Sequence, residues 1–182
     1  MKTIRPLRTL LLFGLLLFVC GACRPQNDWA TYTVNEVSPN SNFLPYSLEY
    51  PSDWVIEEGV NHITFTSDAK LLTDVPDKLE PGQIIAGLSM NINMPPEEMV
   101  EVYASTHQSV AEFSETISYE VNGRPAAYKE GTETESGDQL FLIAVDMGNN
   151  MRGLLTAKMA EGELVTWRDT LMKMAESLRV NP

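Results

Sequence analysis

The chain has 182 residues, of which 43% are apolar, and a formal net charge of −12. That length suits one globular domain with a tail, and the composition excludes the disordered and collagenous classes. The charge excludes a nucleic-acid phosphate surface, which needs clustered Lys and Arg, and anionic lipid headgroups would repel it.

The first 22 residues read as an address. Lys2, Arg5 and Arg8 stand ahead of the apolar run 10–19, LLLFGLLLFV, with no acid among them. Ten residues at about 1.5 Å rise cannot cross a hydrocarbon core about 30 Å thick. The layout is therefore that of a secretory signal peptide. Without it the chain keeps 10 of its 13 basic side chains against 25 acids, a net −15.

The signal ends in Cys20-Gly21-Ala22-Cys23. Small residues before a cysteine resemble a bacterial lipoprotein signal, and that resemblance implies that Cys23 is lipidated and becomes the first residue. Cys20 is the poorer acceptor, because Val19 before it is β-branched. Arg24 stands where many two-membrane bacteria carry the inner-membrane retention Asp. Cleavage at Cys23 leaves no second cysteine, so no intramolecular disulfide is available and the fold stands on its core. A plain secretory signal or an uncleaved anchor helix are the alternatives.

Residues 23–42 are polar, with Pro25, Pro39 and several Asn and Ser, and read mostly as a tether; residues 43–182 then form a single domain. Within the tether, Tyr32-Thr33-Val34 reads as a short first strand. Trp29 suits either docking on the domain or a place among lipid headgroups.

The segment 46–67 reads as three strands. Tyr46, Leu48 and Tyr50 alternate with polar residues, Pro51-Ser52-Asp53 breaks the run, Trp54 resumes it, Glu58-Gly59 turns, and 62–66 follows. Pro76, Pro81 and Gly82 predict an irregular loop over 68–82, and a loop of that length is often functional. Residues 84–92 read as a strand. Pro95-Pro96-Glu97-Glu98 opens a helix that the stripe Met99, Tyr103, Thr106 and Val110 carries to about Ala111. Residues 115–121 alternate with Ile117, Tyr119 and Val121 inward. Asn122-Gly123 is a hairpin signal, and 124–133 its partner strand. Turns at 136–138 and 148–150 separate strands 139–147 and 151–158. A last helix spans 163–178 with Leu164, Trp167, Leu171, Met174 and Leu178 on one stripe. Hairpins rather than crossovers predict an α+β fold, a mostly antiparallel twisted sheet covered by two helices.

Two of these segments carry a family likeness. The strand–Pro–Trp run Tyr46-Ser47-Leu48-Glu49-Tyr50-Pro51-Ser52-Asp53-Trp54 and the hairpin Asn122-Gly123-Arg124-Pro125-Ala126-Ala127, with the order of elements over about 32–180, resemble the PsbP-like superfamily. It takes in a photosystem II extrinsic subunit, a Ran-binding import factor and bacterial lipoproteins. The resemblance implies an antiparallel sheet sandwiched by helices and used to bind protein partners. It implies no catalytic residues and no photosystem role.

The residues offer little chemistry. His62 and His107 are the imidazoles available to activate a nucleophile, and Gly87-Leu88-Ser89-Met90-Asn91 lacks the second glycine of a nucleophile elbow. Two histidines and no cysteine do not suit zinc. Glu130, Glu133, Glu135 and Asp138, and Asp68, Asp74, Asp77 and Glu80, supply oxygen donors of the kind calcium takes, but at no calcium-loop spacing; charged hairpin tips are normally solvated. No glycine-rich phosphate loop is present. Met90, Met94, Met99, Met147, Met151, Met159, Met172 and Met174 read as core filler or as an adaptable groove. No cofactor or metal is expected. The expected function is a membrane-tethered, extracytoplasmic, non-enzymatic module with an envelope or membrane protein partner. The alternative is a small-molecule or ion carrier using a cleft at the 68–82 loop, and a hydrolase is the third reading.

Overall fold

A computed structural model describes residues 28–35, 43–59 and 62–181. Cys23, the signal 1–22 and parts of the tether lie outside the described residues. The element order is β1 (Trp29–Val34), β2 (Tyr46–Pro51), β3 (Val55–Glu58), β4 (His62–Thr66), a 3₁₀ turn (Ala69–Leu72), β5 (Ile84–Ile92), α1 (Pro96–Thr106), β6 (Ala111–Phe113), β7 (Ile117–Val121), β8 (Arg124–Glu133), β9 (Gln139–Gly148), β10 (Met151–Met159), α2 (Leu164–Ser177) and β11 (Arg179–Val180). The fold is α+β and its strand pairs are antiparallel.

The strands form two sheets rather than the single one expected. A large sheet runs β3-β4-β5-β10-β9-β8-β6, with β7 also paired to β8, and a small sheet runs β1-β2-β11. The break falls at Pro51, which ends β2. Trp54 N–H donates to the Pro51 carbonyl at 3.0 Å, and the chain turns into β3 in the other sheet. Trp54 is buried there, its ring 5.8 Å from that of Trp167 on α2.

Strand β9 explains the layering. Its run Leu140-Phe141-Leu142-Ile143-Ala144-Val145 is buried on both faces, so it cannot lie at the surface. Phe141, Ile143, Val145 and Met147 point into the main core, with Leu155, Met159, Leu171, Met174 and the small sheet. Leu142 and Ala144 point the other way, onto Met99, Val100 and Ala104 of α1. The small sheet and α2 thus cover one face of the large sheet, and α1 covers part of the other.

Three expectations change. The expected strand at 32–34 is longer and starts at Trp29: Trp29, Tyr32 and Val34 pack on the main core, and β1 pairs with β2 from Trp29↔Pro51 to Val34↔Tyr46, so part of the 23–42 segment belongs to the folded domain. Helix α1 stops at Thr106: His107 leaves helical geometry at φ −112° and ψ 6°, its N–H donates to the Ala104 carbonyl, and the Thr106 hydroxyl and His107 Nδ1 lie 2.7 and 2.9 Å from the Tyr103 carbonyl. Val110 is consequently exposed, and Val100 and Ala104, not Thr106 and Val110, complete the packing stripe. Ile117 at the sheet rim is exposed rather than inward. The Asn122-Gly123 hairpin forms as expected, with φ of 52° and 73°, the left-handed pair a two-residue turn requires.

Candidate functional site

Helix α1 leaves part of its sheet face bare. It packs over β8, β9 and β10, and the β5 and β4 rows beside it expose small side chains, Ser89, Gly87 and Thr64. The flank of α1 is a wall and these strands are a floor. Two hollows lie in the angle, with Tyr103 lining both.

The first hollow, about 200 Å³, lies near the start of α1. Met94 and Met99 with Val102, Tyr103 and Leu154 supply its apolar surface; Ser89, Asn91 and Thr106 its polar atoms. None of its lining residues is charged, in a protein of net −12. Val102 is 45% exposed, a large apolar side chain with no intramolecular packing reason to face water. Methionine's unbranched, polarizable chain conforms to irregular partners. Of the methionines named above, Met147, Met151, Met159 and Met174 are buried as filler, while buried Met99 and half-buried Met90 and Met94 border this groove.

The second hollow, about 280 Å³, lies at the helix end and is polar on one side. Gly87 makes its floor: a Cβ there would stand 3.2 Å from Thr156 Oγ1, which donates to the Gly87 carbonyl. Tyr103 stacks on His107, ring centroids 4.3 Å apart. Burial pushes the Tyr103 phenol up, so it stays neutral.

Lys158 closes that end. Its ammonium lies 2.7 Å from Glu133 Oε2 and 3.2 Å from Asp138 Oδ2. Ser136 donates to the same Glu133 oxygen, and Leu79 N–H donates to Asp138 Oδ2 at 3.0 Å. Burial acts on Lys158 to lower its pKa, but the hydrogen bonds and charges of Glu133 and Asp138 outweigh it, and the ammonium is held above the usual lysine range. Burial likewise pushes Glu133 up, and the bonds from Lys158 and Ser136 outweigh it and hold the carboxyl below the usual range.

Glu135, Asp74, Asp77 and Glu80 are exposed as solvated acids, but three others are not. Asp138 is fully buried, Glu133 is paired, and Glu130 pairs with Arg168. Asp68 caps the 3₁₀ turn through Lys70 N–H at 3.0 Å. Among the described residues no three His, Cys, Asp or Glu side chains converge as a metal site. The loop 68–82 does not roof an apolar pocket, because Leu71 and Leu79 fill the space beneath it against Ala160 and Ile85. The hollow beside the loop, about 740 Å³, is lined instead by Asp77, Lys78, Glu133, Ser136 and Lys158 among others.

The two histidines stand apart. His62 is exposed on β4. His107 has a hydroxyl at hand, Thr106 Oγ1 at 2.9 Å, but that hydroxyl donates to the Tyr103 carbonyl as part of the helix end. Glu133, the carboxylate whose charge reaches His107, is committed to Lys158 and Ser136. Sequence reading did not single out Val102 or Lys158. A valine off the helical stripe, and one lysine within the apolar strand 151–159, were their signals.

No family model matches the chain, and no curated protein matches it in sequence. Solved structures are similar to it in chain course. Cyanobacterial PsbP from Synechocystis sp. PCC 6803 is 13% identical at a TM-score of 0.48, over 91% of this chain and 99% of that one. LpqN, involved in cell envelope biogenesis of Mycobacterium tuberculosis, is 16% identical at 0.49, over 86% and 93%. The Pseudomonas aeruginosa protein PA94, of unknown function, is 12% identical at 0.47, over 85% and 98%. The first belongs to the family that the 46–54 and 122–127 segments resemble.

Proposed function

We propose that the chain is a lipid-anchored, extracytoplasmic accessory module without catalytic activity, which holds a protein partner of the envelope in the groove beside α1. The observation that carries this reading is the uncharged, methionine-lined hollow flanked by exposed Val102 on an otherwise acidic protein. An apolar segment gains there by burying surface, and it meets no charge that must be desolvated. Its anchor is Cys23, supported by the basic, apolar and small-residue order of residues 1–23. Two acyl chains hold a protein stably on a bilayer. Against catalysis stand His62, exposed on β4, and His107, spent on the helix end.

Two experiments test the two halves. Cells fed an alkyne fatty acid label the wild type but not Cys23→Ala, and the variant leaves the membrane fraction; label and membrane association that survive the substitution refute the anchor. A photo-crosslinker in place of Val102 gives one discrete heterologous adduct in cells, and Met94→Glu abolishes it. An adduct with a second copy alone, or one that Met94→Glu leaves intact, refutes the partner groove.

A further inference from the structure

Where the tether enters the domain decides which way the groove looks. Asp28 is already fixed, because Ser52 N–H donates to its carbonyl at 2.8 Å, and Trp29 follows as the first residue of β1. Lys173 of α2 sits 3.7 Å over the Trp29 ring. From Cys23 to Asp28 there are five peptide units, which at about 3.3–3.6 Å each span at most about 18 Å.

The entry point is on one face of the large sheet and the groove is on the other. Strand β1 belongs to the small sheet, which packs with α2 on the Phe141–Ile143–Val145 face, whereas α1 packs on the Leu142–Ala144 face. They also lie at opposite ends of the strands. Trp29 pairs with Pro51, the chain turns at Ser52 into Val55, Val55 pairs with Thr66, and Thr66 pairs with Ile85 near the start of β5. The groove is lined by Ser89 and Asn91 in the second half of β5 and by Met94 just past its end. From Ile85 to Asn91, six residues of strand at about 3.3 Å cover roughly 20 Å. The two are diagonally opposed, across the thickness of the sheet layers and along the strands.

We infer that the short tether keeps the groove turned away from the bilayer, so that its occupant is an uncharged, water-exposed segment of an extracytoplasmic protein rather than lipid or a membrane-spanning helix. This rests on Cys23 as the point of attachment. To bring the α1 flank down onto the lipid, a reach of about 18 Å would have to pass around two packed layers, each about 10 Å from the next. At the entry end Asp28, Asp53 and Asp68 outnumber Lys70 and Lys173, so net attraction to anionic headgroups does not supply the orientation; the tether does.

The test separates this geometry from the lipidation reading. The chain 23–182, whose sole thiol is Cys23, is coupled chemically to a maleimide lipid in nanodiscs that carry a gadolinium-chelate headgroup lipid. Broadening of backbone amide signals then reads proximity to the bilayer without requiring cells to acylate Cys23. The amides of Asp53 and Lys70 should lose most of their intensity, and those of Asn93, Val102 and Asn150 should keep most of theirs. A Gly/Ser spacer of about 20 residues after Arg24, with a root-mean-square length of about 25 Å, should abolish the contrast. Equal broadening at both sets, or stronger broadening at Asn93 and Val102, overturns the inference and makes the bilayer the groove's neighbour. Failure of fatty-acid labelling in cells would refute the anchor and leave this geometric result standing.

Discussion

Asp138 and Lys158 form an ion pair at 3.2 Å in which the carboxylate is fully buried. The same Asp138 oxygen accepts from Leu79 N–H, so one buried acid joins β10 to the 68–82 loop and holds Leu79 in its small apolar cluster. Asp138→Ala leaves Lys158 with Glu133 and a long contact to the Asp77 carbonyl, and strands the Leu79 amide. Removing one partner of a buried pair costs about 3–5 kcal/mol, and the retained Glu133 contact brings the expectation to about 2–4 kcal/mol. Urea unfolding should show that loss, with faster proteolysis inside 68–82; a loss within about 0.5 kcal/mol would mean the pair is not what secures the loop.

The same cluster sets a pH window. Glu133 has a folded pKa below glutamate's usual 4.5, so its contribution is complete above that value and is lost as pH falls through the folded pKa. Lys158 has a folded pKa above lysine's usual 10.5, so its contribution is complete below 10.5 and is lost as pH rises further. Thermal unfolding of Glu133→Gln should therefore lie below the wild type through the neutral range and converge with it in strong acid. A constant difference down to low pH would assign the effect to packing.

Trp29 ties the start of the chain to the last helix through the Lys173 ammonium. It is half-buried, so Trp29→Ala should cost about 1–3 kcal/mol from lost packing and the cation–π contact. Hydrogen exchange should locate the effect in β1 and in its β2 partners. Unchanged protection across 29–34 would place Trp29 outside the fold's energetics.

Gly131 on β8 has no room for a side chain. A Cβ there would lie 2.6 Å from the Phe113 ring and 3.1 Å from the Glu112 carbonyl oxygen on β6. Ring rotation relieves the first contact but not the second. Gly131→Ala should destabilise by about 1–3 kcal/mol and loosen β6 first, read by unfolding and by amide exchange at Ala111 and Phe113.

Much of this was legible along the chain because its causes are local. The strands at 84–92, 124–133 and 151–159 follow alternation bounded by turn residues, and Asn122-Gly123 and Asn149-Asn150 take the left-handed backbone their turns need. The α2 stripe was readable because a helix buries one face whatever it packs against: Leu164, Leu171, Met174 and Leu178 are all buried.

The tertiary structure alone decided what depends on pieces distant in sequence. That Pro51 turns the chain into a second sheet, that the first strand extends to Trp29 under Lys173, and that Glu133 and Asp138 share Lys158 are outcomes of packing between segments distant in sequence. A period of two or 3.6 specifies which face of an element is apolar, not which partner covers it. The groove follows from the same limit: α1 is one helix on a wider sheet, and only their relative placement leaves Val102 and Met94 uncovered beside β5.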